Sequence, residues 1–108
     1  MAGRVLVVDD ERAILVALRG LFVRDGYQVD TAGGGAEALE KLEAGAFHVV
    51  LTDLSMDGVS GMDVLEHARR LDPDVGVIMI TVHGSEKNAV EAMKRGAADY
   101  LPKPFDND

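Results

Sequence analysis

The 108 residues are 47 % hydrophobic and 28 % charged, which suits one packed domain and excludes wholesale disorder. Nineteen acids against eleven bases leave a net charge of −8, which argues against a basic nucleic-acid footprint; the absence of cysteine excludes disulfides, thiolate metal sites and cysteine nucleophiles. No apolar run approaches the roughly 20 residues of a spanning helix, and Asp9, Asp10 and Glu11 interrupt the first one, so no membrane segment or signal peptide is expected and a cytoplasmic location is.

In chain order, the run Val-Leu-Val-Val at 5–8 is apolar at every position, as suits a strand buried on both faces of a parallel sheet, and it ends abruptly in Asp9-Asp10-Glu11. A helical stripe follows in Ile14, Leu15, Leu18, Leu21 and Phe22, and Gly26 stops it in the manner of a left-handed cap. The pattern then predicts a strand over 27–32, a turn at Gly33-Gly34-Gly35, and a helix over 36–44 with Ala38, Leu39 and Leu42 inward. Gly45 ends that helix. A third strand over 47–53 also closes on a carboxylate, Asp53. After a loop over 54–60 comes a helix over 61–71, with Val64, Leu65, Ala68 and Leu71 inward; Pro73 then makes a turn of Asp72-Pro73-Asp74. The most apolar strand, over 75–81, belongs within the sheet. A loop over 82–85, a helix over 86–95 capped by Gly96, and a short strand over 99–101 complete the pattern. Pro102 and Pro104 suit an edge strand, where a missing donor can face away from the ladder.

Five strands alternating with four helices predict a parallel sheet with right-handed crossovers and helices on both faces. Such sheets place their sites outside the carboxyl ends of the strands. Asp9 and Asp10 end the first strand, Asp53 the third and Thr81 the fourth, while Lys103 follows the fifth. Three carboxylates, a hydroxyl and an ammonium are therefore expected on one rim. Clustered carboxylates repel unless a cation or a proton intervenes. Oxygen-only ligands suit a hard divalent ion, with Mg²⁺ the leading choice. Once metal and Lys103 offset the charge, one carboxylate can attack phosphorus, with Lys103 and the Thr81 hydroxyl on phosphoryl oxygens.

Other features read as ordinary structure. Gly33-Gly34-Gly35 lacks the lysine and spacing of a phosphate-binding loop. His48 and His67 are structural or exposed, and Met56, Met62, Met79 and Met93 fill the core.

The acid pair in Val-Asp-Asp-Glu at 8–11, Asp53 with Met56 and Gly61, Thr81, and Tyr-Leu-Pro-Lys-Pro-Phe at 100–105 occur in order after successive strands. Together they resemble the receiver domain of bacterial two-component response regulators. The wording from Thr81 to Gly84 and from Ala89 to Ala97 is closest to receivers of nitrogen-regulatory-type activators, which usually carry an ATPase and a DNA-binding domain. The resemblance implies a flavodoxin-like, doubly wound sheet of order 2-1-3-4-5. It implies Asp53 as phosphoacceptor from a phosphohistidine of a sensor histidine kinase, in a reaction needing Mg²⁺ or Mn²⁺. Asp9, Asp10, Asp53 and the Ser55 backbone carbonyl would hold the metal. Thr81 and Tyr100 would be the switch pair, Lys103 would contact the phosphoryl group, and a surface at the fourth helix and fifth strand would respond. A downstream output domain or protein is implied, in the same chain or another and transcriptional in kind, with a homodimer as a further partner. Direct contact with nucleic acid or membrane is not.

Two positions depart from the family pattern: Asp57 stands where proline is usual, and Val82 replaces alanine or glycine. His83 is no departure but a solvent-facing loop residue beside the site, and Asp57, Val82 and His83 are expected to tune transfer and hydrolysis rates. Receivers also usually close with a fifth helix, whereas this sequence stops at Asp108. The expectation is a single receiver domain, 1–108, cut from a longer regulator before or within that helix, leaving apolar sheet uncovered on the face of the first helix. A rival reading is a phosphorylation-independent interaction module, which predicts loss of the acid pair, the acceptor or the lysine. An aspartate-nucleophile phosphatase would instead need Asp-x-Asp on the first strand. Self-catalysed transfer and hydrolysis aside, no conventional enzyme activity is expected.

Overall fold

The computed structural model describes residues 3–56, 58–81 and 86–102. Its elements are β1 (Arg4–Val8), α1 (Arg12–Arg24), β2 (Gln28–Ala32), α2 (Gly35–Ala44), β3 (Val49–Asp53), α3 (Gly61–Leu71), β4 (Gly76–Thr81), α4 (Glu86–Lys94) and β5 (Asp99–Pro102). The five strands make one parallel sheet in the order β2-β1-β3-β4-β5. The chain leaves β1 toward β2 and later crosses back to β3, so the order reverses between β1 and β3. That reversal opens a crevice at their carboxyl ends.

Alternation along each strand divides the core in two. Val5, Val7, Leu51 and Ile80 pack with Leu18 of α1 on one face. Leu6, Val8, Val50, Val77 and Met79 pack on the other with Ala38 and Leu42 of α2, Val64, Leu65 and Ala68 of α3, and Ala92 of α4. β1 is apolar from Val5 to Val8 because that stretch is covered on both sides, and burying a leucine such as Leu6 or Leu65 contributes about 2 kcal/mol. On the α1 face, Val49, Ile78 and Leu101 are only half-buried. Among the described residues there are four helices. None is long and apolar enough to cross a membrane.

Local chemistry sets the element ends. Gly26 and Gly96, at φ +95° and +104°, terminate α1 and α4 in the left-handed region that glycine tolerates. Ser60 caps α3 reciprocally: its Oγ accepts from the Asp63 N–H (3.3 Å) and its own N–H donates to Asp63 Oδ2 (3.1 Å). The glycine turn before α2 gives its Gly33 N–H to Glu37 Oε1 (2.9 Å), which is the main reason the Glu37 carboxyl sits below the usual carboxylate range.

Several sequence expectations are corrected. Leu21 (47 % exposed) lies at the edge of the α1 stripe, and Leu71 (49 %) is the last residue of α3, beyond the sheet. Met93 is likewise exposed on the outer side of α4, whereas Met56, Met62 and Met79 do pack on the core. β2 begins at Gln28, because Tyr27 turns edge-on to Phe22 (5.8 Å between centroids). β3 begins at Val49, since the Arg4 N–H goes to the His48 ring Nδ1 (3.0 Å).

Candidate functional site

Val8 and Thr52 are register partners, so the next residues, Asp9 and Asp53, leave the sheet side by side at its carboxyl edge. Asp9 is fully buried and Asp53 nearly so, while Asp10 is exposed. One carboxylate oxygen from each of Asp9, Asp10 and Asp53 lies within 4.8 Å of the other two. Buried anions require donors. Asp9 Oδ1 accepts from the Glu11 N–H (2.9 Å), and the Ser55 N–H points at Asp53 Oδ1 (3.4 Å).

The backbone around Asp53 is fixed from several sides. The buried Thr52 hydroxyl donates to the Asp53 carbonyl (3.0 Å), the Leu54 N–H to Ile80 O (3.0 Å), and the Gly61 N–H to Leu54 O (3.0 Å). Gly61 approaches so closely that a Cβ there would lie 2.2 Å from Asp53 O. Across the same loop, a Cβ on Gly35 would lie 2.3 Å from Val59 O, so the loop is pressed onto the start of α2.

Beside the carboxylates lies an open cleft of about 390 Å³ lined by Asp10, Leu54, Ser55, Met56 and Ser60. A second cleft of about 280 Å³, at the opposite edge of the sheet, is lined mainly by apolar residues such as Leu42, Phe47, Leu71 and Val75. The clustered carboxylates lie at the first, whereas Glu43 and Asp72 of the second are not part of such a cluster among the described residues. Three hard oxygen donors, two of them buried with like charges close together, fit a hard divalent cation and fit a soft metal poorly.

Of the residues singled out in the sequence, Asp9, Asp10 and Asp53 come together, and Ser55 is adjacent through its amide. Thr81 is fully buried at the end of β4, one strand over from Asp53. Tyr100 is the register partner of Met79 and packs on the α2–α4 side of the core. Lys103, Val82, His83 and Asp57 lie outside the described residues. Thr52, Gly61, Gly35 and the Glu11 amide support the site without having been singled out for it; only Gly61 and Glu11 carried a signal, each as part of a motif.

The Tyr100 hydroxyl is buried with no hydrogen-bond partner among the described residues. An orphaned buried donor costs about 1–3 kcal/mol. Tyr100→Phe should therefore raise the unfolding free energy by about 1 kcal/mol, read as a higher urea midpoint at an unchanged m-value. A lowered midpoint would mean that the hydroxyl is satisfied in solution.

Comparison with known proteins agrees with this geometry. A family model described as the response regulator receiver domain matches residues 5–108. Transcriptional regulatory protein ZraR of Klebsiella oxytoca is 39 % identical over 104 residues, covering 96 % of this chain and 24 % of that protein. DNA-binding transcriptional regulator NtrC of Azospirillum brasilense is 34 % identical over 105 residues, covering 97 % of this chain and 22 % of its own length. The chain thus spans about a quarter of these relatives. Among solved structures, response regulator TrrA of Thermotoga maritima, in complex with Mg²⁺ and beryllofluoride, superposes with a TM-score of 0.85 at 35 % identity, covering all of this chain and 91 % of that one.

Proposed function

The chain belongs to the response regulator receiver domain family, and from that premise we propose that it is a phosphorylation-controlled switch whose acceptor is Asp53. The observation that carries the reading is the convergence of Asp9, Asp10 and Asp53, two of them buried, at the switch point of the sheet. An Asp53 carboxylate oxygen forms the new bond to phosphorus while the P–N bond of a kinase phosphohistidine breaks, and the freed imidazole carries away the electron pair. Hydrolysis by water returns the carboxylate.

Asp9, Asp10, Asp53 and the Ser55 carbonyl would hold Mg²⁺ or Mn²⁺, whose charge, when bound, offsets that of the clustered acids and of the phosphoryl group. Thr81 is placed to donate its hydroxyl to a phosphoryl oxygen, with Tyr100 as its switch partner and Lys103 as a second cation. Asp57, Val82 and His83 would tune the rates. The domain does no conventional enzymatic work.

The named functions of its relatives support a transcriptional output in a longer regulator, of which this chain is one receiver domain, working in the cytoplasm. The net charge of −8 supports the absence of direct nucleic-acid contact by the domain itself. Val90 and Met93, exposed on α4 beside β5, suit a responsive face for an output domain or a second copy.

Intact mass after incubation with acetyl phosphate tests the reading. The parent should gain one phosphoryl group only with Mg²⁺, and Asp53→Asn none. A folded parent that neither gains the adduct nor binds beryllofluoride would make the domain an interaction module.

A further inference from the structure

Among its described residues, α4 buries little apolar surface against the body. Its one buried side chain among the described residues is Ala92, a single methyl group, while Val90 and Met93 face outward. The C-terminal end of α4, by contrast, is fastened with charge. Arg95 donates from Nε to Glu91 Oε2 in the last turn (2.8 Å) and from Nη1 to Glu66 Oε2 on α3. Gly96 then turns at φ +104° directly against Arg69 of α3, where a Cβ would lie 2.7 Å from Nε. Arg69 is in turn fixed by its bond to Pro73 O (2.5 Å). Glu66 and Arg69 are one turn apart, so α3 clasps the end of α4 from two positions.

Both helices lead to the acceptor. α3 begins at Gly61, bonded to Leu54 beside Asp53, and α4 follows β4, which ends in Thr81. A contact between their far ends therefore links the acceptor loop to the helix whose outer face carries Val90 and Met93.

We propose that the Arg95–Glu66 ion pair is a pin that holds α4 in the arrangement described above, that ligation at Asp53 must break it to shift the helix, and that it so sets how readily ligation is felt at the α4–β5 face. The inference rests on the switch reading above. An exposed ion pair adds little to global stability. Against a helix whose described residues bury one side chain, Ala92, it is nonetheless a large share of what resists movement. Whatever favours the pinned arrangement alone weakens the affinity of a ligand that needs the pin broken by the same factor. Glu91 engages the same guanidinium within its own helix, and the Arg95 hydrogen bond is the main reason its carboxyl is held below the usual range.

Titration with Mg²⁺ and beryllofluoride, followed through the amide resonances of α4, separates the possibilities. Glu66→Gln cuts the inter-helix arm and should bind about two- to fivefold more tightly than the parent at low salt. Glu91→Gln cuts only the intrahelical arm and should match the parent. Near 1 M salt, where screening acts within about 3 Å, the parent should approach Glu66→Gln. The pin is overturned if Glu66→Gln binds like the parent, if Glu91→Gln reproduces its effect, or if the difference survives high salt. A parent that binds no beryllofluoride overturns the switch reading and the pin with it.

Discussion

In metal-free buffer, Asp53→Asn should melt above the parent, and saturating Mg²⁺ should stabilise the parent but not the variant. Three carboxylate oxygens within 4.8 Å of one another, with Asp9 and Asp53 withdrawn from water, repel one another more strongly than in solvent. Asparagine removes one of those charges at nearly constant shape, and its side-chain oxygen can still face the Ser55 N–H. Relief of about 1–2 kcal/mol is expected after screening, or about 5–10 °C in melting temperature for a domain of this size. The sign reverses with metal. A cation held by the folded parent adds about 2.7 kcal/mol at a hundred times its dissociation constant, whereas the variant has lost a charged ligand. Calorimetry in EDTA and then across a Mg²⁺ titration checks both halves. A variant less stable than the parent in EDTA would show that the cluster is already relieved without metal. The same substitution would thus improve the fold and abolish its chemistry, as expected where a site is kept at a cost in stability.

The sheet and its acidic rim are legible in the sequence for one reason: both are written in short-range patterns. A strand buried on two faces is apolar at every position, as at Val5 to Val8, so an acid that ends it stands out, and strict alternation of strand and helix brings those acids to one edge. What surrounds the acids is written at longer range. That Gly61 touches the Asp53 carbonyl, or Gly35 the Val59 carbonyl, depends on how a loop folds back, and no spacing rule contains it. The Arg95–Glu66 pair spans 29 residues and joins helices whose separation the sequence does not encode locally. Leu21, Leu71 and Met93 mislead for a related reason. Periodicity gives the direction of a helical side chain, but only the assembled fold tells whether anything lies in that direction.

Gly61→Ala sets two such levels of information against each other. Gly61 opens α3, and in an open helical position alanine is favoured over glycine by about 1 kcal/mol. Gly20, inside α1, is such a position: nothing would lie within 4 Å of its added Cβ, and Gly20→Ala should stabilise by about that amount. At Gly61 the added carbon would meet Asp53 O at 2.2 Å and Leu54 Cα at 2.8 Å. Both are backbone atoms, so no side chain can swing aside. Nor is the strand end free to retreat, because Leu54 is bonded to Ile80 and the Asp53 carbonyl is held by the Thr52 hydroxyl. Overpacking against fixed backbone should therefore outweigh propensity, for a net loss of about 3 kcal/mol. The atoms forced to move are those of Asp53, the proposed acceptor, so labelling by acetyl phosphate should slow even where the variant remains folded. Urea unfolding of the two glycine variants beside the parent decides the matter. If Gly61→Ala gains stability as Gly20→Ala does, the close approach is absent in solution. If it loses stability and labels slowly, the glycine after the acceptor loop is there to let Asp53 stand where the metal and the phosphoryl group require it.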